Sequence, residues 1–121
     1  MEFYRCNICG KIIWIVKKGV VDTVCCGNKM EHLIPNSVGT EEKHMPEVTG
    51  CSGNVLVSLD DHPYTDNHHI EWIALETDKG CYFRLLEDPY MPVATFKLSN
   101  EIVKAVYLYC NLHGLWKKEI S

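Results

Sequence analysis

Ile102-Val103-Lys104-Ala105-Val106-Tyr107-Leu108-Tyr109 runs into Cys110-Asn111-Leu112-His113 near the C-terminal end of the chain. The first part is short, apolar and rich in β-branched and aromatic residues, the composition of a strand, here Val103 to Tyr109. The second part offers a thiolate and an imidazole in a Cys-x-x-His pair. Such a pair can hold a metal but cannot complete a site. The missing ligands must come from elsewhere, and the candidates are His44, His62, His68 and His69. Most of the chain is then a scaffold that carries them to Cys110 and His113.

Upstream of Val103 the pattern is all-β. In Asn54 to Leu59, Val55, Val57 and Leu59 alternate onto one face. Ile70 to Leu75, Cys81 to Leu86 and Val93 to Leu98 follow, and Leu115-Trp116-Lys117 adds a last short strand. Gly50, Gly53, Asp60-Asp61, Asp78-Lys79-Gly80, Asp88-Pro89 and Ser99-Asn100 punctuate them. Short strands at this spacing predict an antiparallel sandwich. Between the first two lies a loop with His62, His68 and His69. Loops on a rigid sandwich are where function concentrates. His62 precedes Pro63, which restricts its backbone. His68 and His69 are neighbours and face opposite ways, so one of them at most reaches a given metal.

The N-terminal end has a different character. Cys6-Asn7-Ile8-Cys9-Gly10 is a knuckle, Ile12 to Val16 reads as a strand, and Val20 to Val24 reads as its hairpin partner, delivering Cys25-Cys26-Gly27. The spacing C-x2-C…C-C points to a tetrahedral S4 site for zinc or iron. Adjacent side chains of an extended strand diverge, so bringing both Cys25 and Cys26 to one metal requires a kink, which Gly27 can help supply. Zinc ribbons use C-x-x-C twice, and the departure here favours a redox iron. His32 reads as a surface or interface histidine. Cys51 and Cys81 receive no function, and Cys81 reads as a small buried hydrophobe.

The chain has 121 residues, is 46% hydrophobic and carries a formal charge of -4. No basic stripe marks a nucleic-acid partner. No apolar run approaches the roughly 20 residues of a membrane helix, and Met1-Glu2-Phe3-Tyr4-Arg5 has no signal-peptide character. Seven cysteines, an odd number, fit metal thiolates in a reducing cytoplasm better than a disulfide framework.

Cys6-x2-Cys9 with Cys25-Cys26, Glu42-Lys43-His44, His62-Pro63, His68-x-Ile70-Glu71-Trp72 and Cys110-Asn111-Leu112-His113-Gly114 together resemble desulfoferrodoxin, the two-iron superoxide reductase family, in order and over nearly the whole chain. The resemblance implies a mainly β protein of two domains. Residues 1–36 would form a small desulforedoxin-like, rubredoxin-type module with iron on Cys6, Cys9, Cys25 and Cys26. Residues 37–121 would form an immunoglobulin-like antiparallel β-sandwich with the second iron on His44, His62, His68, Cys110 and His113. It assigns His69 no ligand role. It implies one-electron reduction of superoxide to hydrogen peroxide at a non-haem ferrous centre of four histidines and one cysteine, without release of dioxygen, as an antioxidant defence. Glu42 would occupy the open position of the resting ferric iron, and Lys43 would steer and hold the anion. A homodimer and a rubredoxin-type electron donor are further implications. A plain electron carrier would lack an anion-accessible iron, and a zinc-stabilised binding module would be colourless.

Overall fold

The computed structural model describes residues 1–37, 45–51, 53–59, 62, 65–86 and 92–120. Among them every regular element is a strand and every pairing is antiparallel. Among the described residues no helix is long and apolar enough to cross a membrane. The chain divides into two compact units, Met1–Ile34 and Pro35–Ser121.

The first unit contains β1 (Glu2–Arg5), β2 (Ile12–Ile15), β3 (Val24–Cys25), β4 (Asn28–Lys29) and β5 (Glu31–His32), in sheets ordered β2-β1-β5 and β3-β4. β2 pairs with β1, Phe3 opposite Trp14, and not with Val20 to Val24. The reason lies in the knuckle. The Cys6 N–H donates to the Lys11 carbonyl and the Gly10 N–H to the Cys6 carbonyl, both at 2.9 Å, which turns the chain back at once and makes Cys6 to Cys9 a hairpin loop. Only Phe3, Cys6, Met30 and Leu33 are buried in this unit. His32 stacks on Tyr4 at 4.8 Å, with Nε2 3.6 Å from Glu2.

The second unit is a two-sheet immunoglobulin-like sandwich. β6 (Glu47–Cys51), β7 (Asn54–Ser58) and β10 (Val93–Lys97) form one sheet, ordered β10-β7-β6. β8 (Ile70–Thr77), β9 (Cys81–Leu85), β11 (Val103–Cys110) and β12 (Gly114–Glu119) form the other, ordered β12-β11-β8-β9. Alternation puts Val55, Val57, Ala94 and Phe96 of the first sheet against Ile73, Leu75, Val106, Leu108, Cys110 and Trp116 of the second. That layer is the core. β6 was not legible as a strand, because Glu47-Val48-Thr49-Gly50-Cys51 lacks a clear apolar alternation and contains a glycine. Cys81 opens the edge strand β9 and is half-buried, with its thiol pushed up to about 11 by desolvation.

Candidate metal centres

The S4 cluster is assembled by two hairpin turns. The Cys9 N–H points at the Cys6 sulfur at 3.5 Å, and the N–H groups of Cys9 and Ile8 lower the Cys6 thiol to about 6. Cys25 and Asn28 pair across the β3–β4 hairpin, leaving Cys26-Gly27 as a two-residue loop. Both loop residues have positive φ, 53° at Cys26 and 75° at Gly27, the sign pattern of a type I′ turn. The expected kink is therefore present, but Cys26 itself carries half of it. A left-handed non-glycine residue costs about 1–2 kcal/mol, an expense that a bound metal offsets.

The four sulfurs lie within 4.8 Å of one another. Cys9 and Cys25 are 3.6 Å apart, and Cys25 and Cys26 are 3.9 Å apart. A tetrahedron with metal–sulfur bonds of about 2.3 Å has edges of about 3.8 Å, so the cluster fits a tetrathiolate metal. The protonation pattern agrees. Thiol contacts, from Cys6 first and then Cys9, push Cys25 up to about 12, and contact with Cys9 raises Cys26. Neighbouring thiolates repel one another, and a bound cation would relieve that repulsion.

The second cluster sits at one end of the sandwich. Cys110 ends β11 and is fully buried. Asn111, Leu112 and His113 make the turn into β12, and Cys110 pairs with Gly114, whose φ of 81° closes the loop in the left-handed region. The turn aims the N–H groups of Leu112 and His113 at the Cys110 sulfur, while burial, aided by Glu71, pushes the thiol up.

The histidine loop arrives on the neighbouring strand. Tyr109 pairs with Trp72 but Cys110 with Ile70, so Glu71 is an extra residue in β8. This bulge reverses the phase of the strand. Ile70 then faces the core with Cys110, and His68, two residues earlier, shares that face, while His69 points away. His69 Nδ1 lies 3.0 Å from the Thr65 carbonyl.

His62, His68 and Cys110 bring their ligand atoms within 4.8 Å of one another. His68 meets His62 edge-on at 4.7 Å between ring centroids and His113 at 4.9 Å, with interplanar angles of 75° and 77°. His113 Nδ1 lies 3.8 Å from the Cys110 sulfur. His62, His68 and Cys110 thus form one group, and His113 lies outside it but against His68 and Cys110. With metal–nitrogen bonds of about 2.1 Å, opposite ligands stand about 4.2 Å apart, so the cluster has the dimensions of a single metal ion, and its N and S donors suit iron.

Glu42, Lys43 and His44 lie outside the described residues. The chain on either side of them is fixed to β12. Asn36 exchanges hydrogen bonds with the backbone of Lys117, at 3.1 and 2.9 Å, and Lys118 Nζ donates to the Pro46 carbonyl at 2.9 Å.

One contributor escaped sequence reasoning. Asn111 joins the Cys110–His113 turn to the histidine loop through its backbone and its amide. An asparagine inside a Cys-x-x-His turn was the available signal.

Residues 36–119 match the family described as Desulfoferrodoxin, and residues 1–33 match Desulfoferrodoxin, N-terminal domain. The desulfoferrodoxin of Nitratidesulfovibrio vulgaris is 40% identical over 121 residues, covering 98% of this chain and 95% of that protein. The desulfoferrodoxin of Desulfarculus baarsii is 36% identical over 122 residues, covering 98% and 96%. Among solved structures, the superoxide reductase from Treponema pallidum superposes with a TM-score of 0.80 at 27% identity, over 98% of each chain.

Proposed function

The chain belongs to the desulfoferrodoxin family and is a superoxide reductase with two irons; we propose that Cys6, Cys9, Cys25 and Cys26 hold the first and His44, His62, His68, Cys110 and His113 the second. The observation that carries this reading is the convergence of His62, His68 and Cys110 within 4.8 Å, with His113 against both His68 and Cys110.

Superoxide takes up one electron and two protons and leaves as hydrogen peroxide, with no dioxygen formed. The second iron, when ferrous, supplies that electron and a positive charge that attracts the anion. The chain's own groups set the conditions. Neutral imidazoles from His62, His68 and His113 leave that charge uncompensated. The Cys110 sulfur, deprotonated on ligation, donates electron density and favours the oxidised state. The N–H groups of Leu112 and His113 hydrogen-bond to the sulfur and moderate that donation.

In this reading Lys43 draws superoxide toward the open position, which matters on a chain of net charge -4. Glu42 covers that position in the resting enzyme and withdraws on reduction. Residues 1–36 serve as the separate first-iron module and 37–121 as the catalytic domain. The donor is a rubredoxin-type protein. Exposed Ile8, Val16, Val20, Val21 and Val24 on the first unit support a homodimer. A cysteine set used as metal thiolates suits a cytoplasmic setting.

Metal analysis and visible spectra test the assignment. Two irons per chain are expected, with a ferric tetrathiolate spectrum and a separate thiolate-to-iron band that appears on oxidation and shifts with azide. A second band blind to azide would contradict an open position. Lys43→Ala should slow superoxide consumption and flatten its salt dependence; an unchanged rate at low salt would remove Lys43 from the reaction.

A further inference from the structure

His68 is bracketed by contacts from one residue. The side-chain oxygen of Asn111 accepts the His69 N–H at 2.9 Å. Its side-chain nitrogen donates to the Asn67 carbonyl at 2.9 Å. Its backbone N–H donates to the His69 carbonyl at 3.1 Å. Both chain neighbours of His68 are therefore tied to the residue that follows Cys110. The loop is closed locally as well, since Thr65 and His68 exchange backbone hydrogen bonds at 2.9 and 3.2 Å around Asp66-Asn67.

We propose that Asn111 is a positioning residue that fixes His68 against Cys110 before a metal arrives. The inference rests on the reading of His68 and Cys110 as ligands of one metal. Cys110 ends a strand, whereas His68 belongs to a loop reaching that strand from the bulged start of β8. Strand pairing alone stops at Ile70 opposite Cys110. Beyond Ile70 the register of the two ligand segments depends on Asn111. An amide suits the task, because it offers one acceptor and one donor in a plane, matching the His69 N–H and the Asn67 carbonyl together. Aspartate would keep the acceptor and turn a second oxygen toward the Asn67 carbonyl. Alanine would keep only the backbone bond.

The test is cobalt(II) binding to the metal-free full-length chain, followed by visible spectra and by chelator competition. The tetrathiolate cluster in the same molecule is the internal control. Asn111→Ala is expected to weaken cobalt at the histidine–cysteine site by about 10- to 100-fold, the usual range for groups that orient ligands. It should shift the thiolate-to-cobalt band and leave the tetrathiolate cluster unchanged. Asn111→Asp should fall between Asn111→Ala and the parent chain, and Asn111→Gln should not restore binding, because its longer side chain misplaces the amide. Parent-like affinity and band position in Asn111→Ala would overturn the proposal, even if its Tm falls. His68→Ala separates the two readings. If it weakens cobalt while Asn111→Ala does not, the positioning role fails alone. If it leaves the site unchanged, the ligand assignment fails and the positioning role with it.

Discussion

The two units differ most in what they bury. The first hides Phe3, Cys6, Met30 and Leu33 and leaves Ile8, Val16, Val20, Val21 and Val24 exposed. The second closes a layer that includes Val57, Ile73, Leu75, Phe96, Val106, Leu108 and Trp116. A segment as short as the first rarely folds on apolar burial alone, so its metal belongs to its folding free energy. The second unit folds around its own core and carries a metal site at its end. In the proposed reading the same metal is a structural staple in one unit and a reaction centre in the other.

Breaking the staple should give the largest effect. Structural metal sites contribute about 10–16 kcal/mol in small zinc domains. Removing the first metal, or one of its ligands in Cys9→Ser, should unfold residues 1–34 while the sandwich persists and superoxide consumption largely survives. Hydrogen exchange resolved by segment would read this, and joint loss of protection in both units would refute the division of labour. Trp116→Ala makes the opposite cut. It opens the sandwich core at a fully buried position and should cost about 3–5 kcal/mol. Denaturant titration should show that loss in the sandwich transition, with the tetrathiolate spectrum unchanged below it.

Smaller changes sharpen the comparison inside the sandwich. A Cβ at Gly114 would meet nothing within 4 Å, so Gly114→Ala is strained only by its φ of 81°. The expected cost is about 1–2 kcal/mol, with a displaced thiolate-to-metal band because the turn orients His113. A stability loss with an unmoved band would mean that the turn is not what aims the ligand. Far from the site, the Tyr82 hydroxyl donates to Glu101, and together with the N–H groups of Ser99 and Asn100 it holds that carboxyl below its usual range. A depressed carboxylate stabilises the fold above its unfolded pKa and loses that contribution as pH falls through the lower folded value. Tyr82→Phe should therefore lower Tm slightly at neutral pH, and the gap should narrow in acid. A gap that widens in acid would contradict the sign.

Ligand chemistry was the most legible part of the sequence, since cysteines and histidines announce themselves by type and spacing. The paired thiols Cys25-Cys26 even required a kink, although the left-handed Cys26 was not foreseen. Strands with clean alternation, such as Val55 to Leu59, were legible too. Pairings were not. Ile12 to Ile15 took β1 as its partner, with the knuckle between them closed by the hydrogen bonds from Cys6 N–H to Lys11 and from Gly10 N–H to Cys6. The bulge at Glu71 and the bracket at Asn111 were hidden for the same reason, because each is a relation between segments about 40 residues apart. His68 was separable from His69 only in part. The residue pattern required them to diverge, the family resemblance chose His68, and the bulge gives the physical reason.

The measurement that tests the central claim most directly is the product balance of superoxide consumed by the reduced protein under excess reductant. Reduction at the histidine–cysteine centre predicts one hydrogen peroxide for each superoxide and no dioxygen. Equal amounts of hydrogen peroxide and dioxygen would mean dismutation, and would contradict the account.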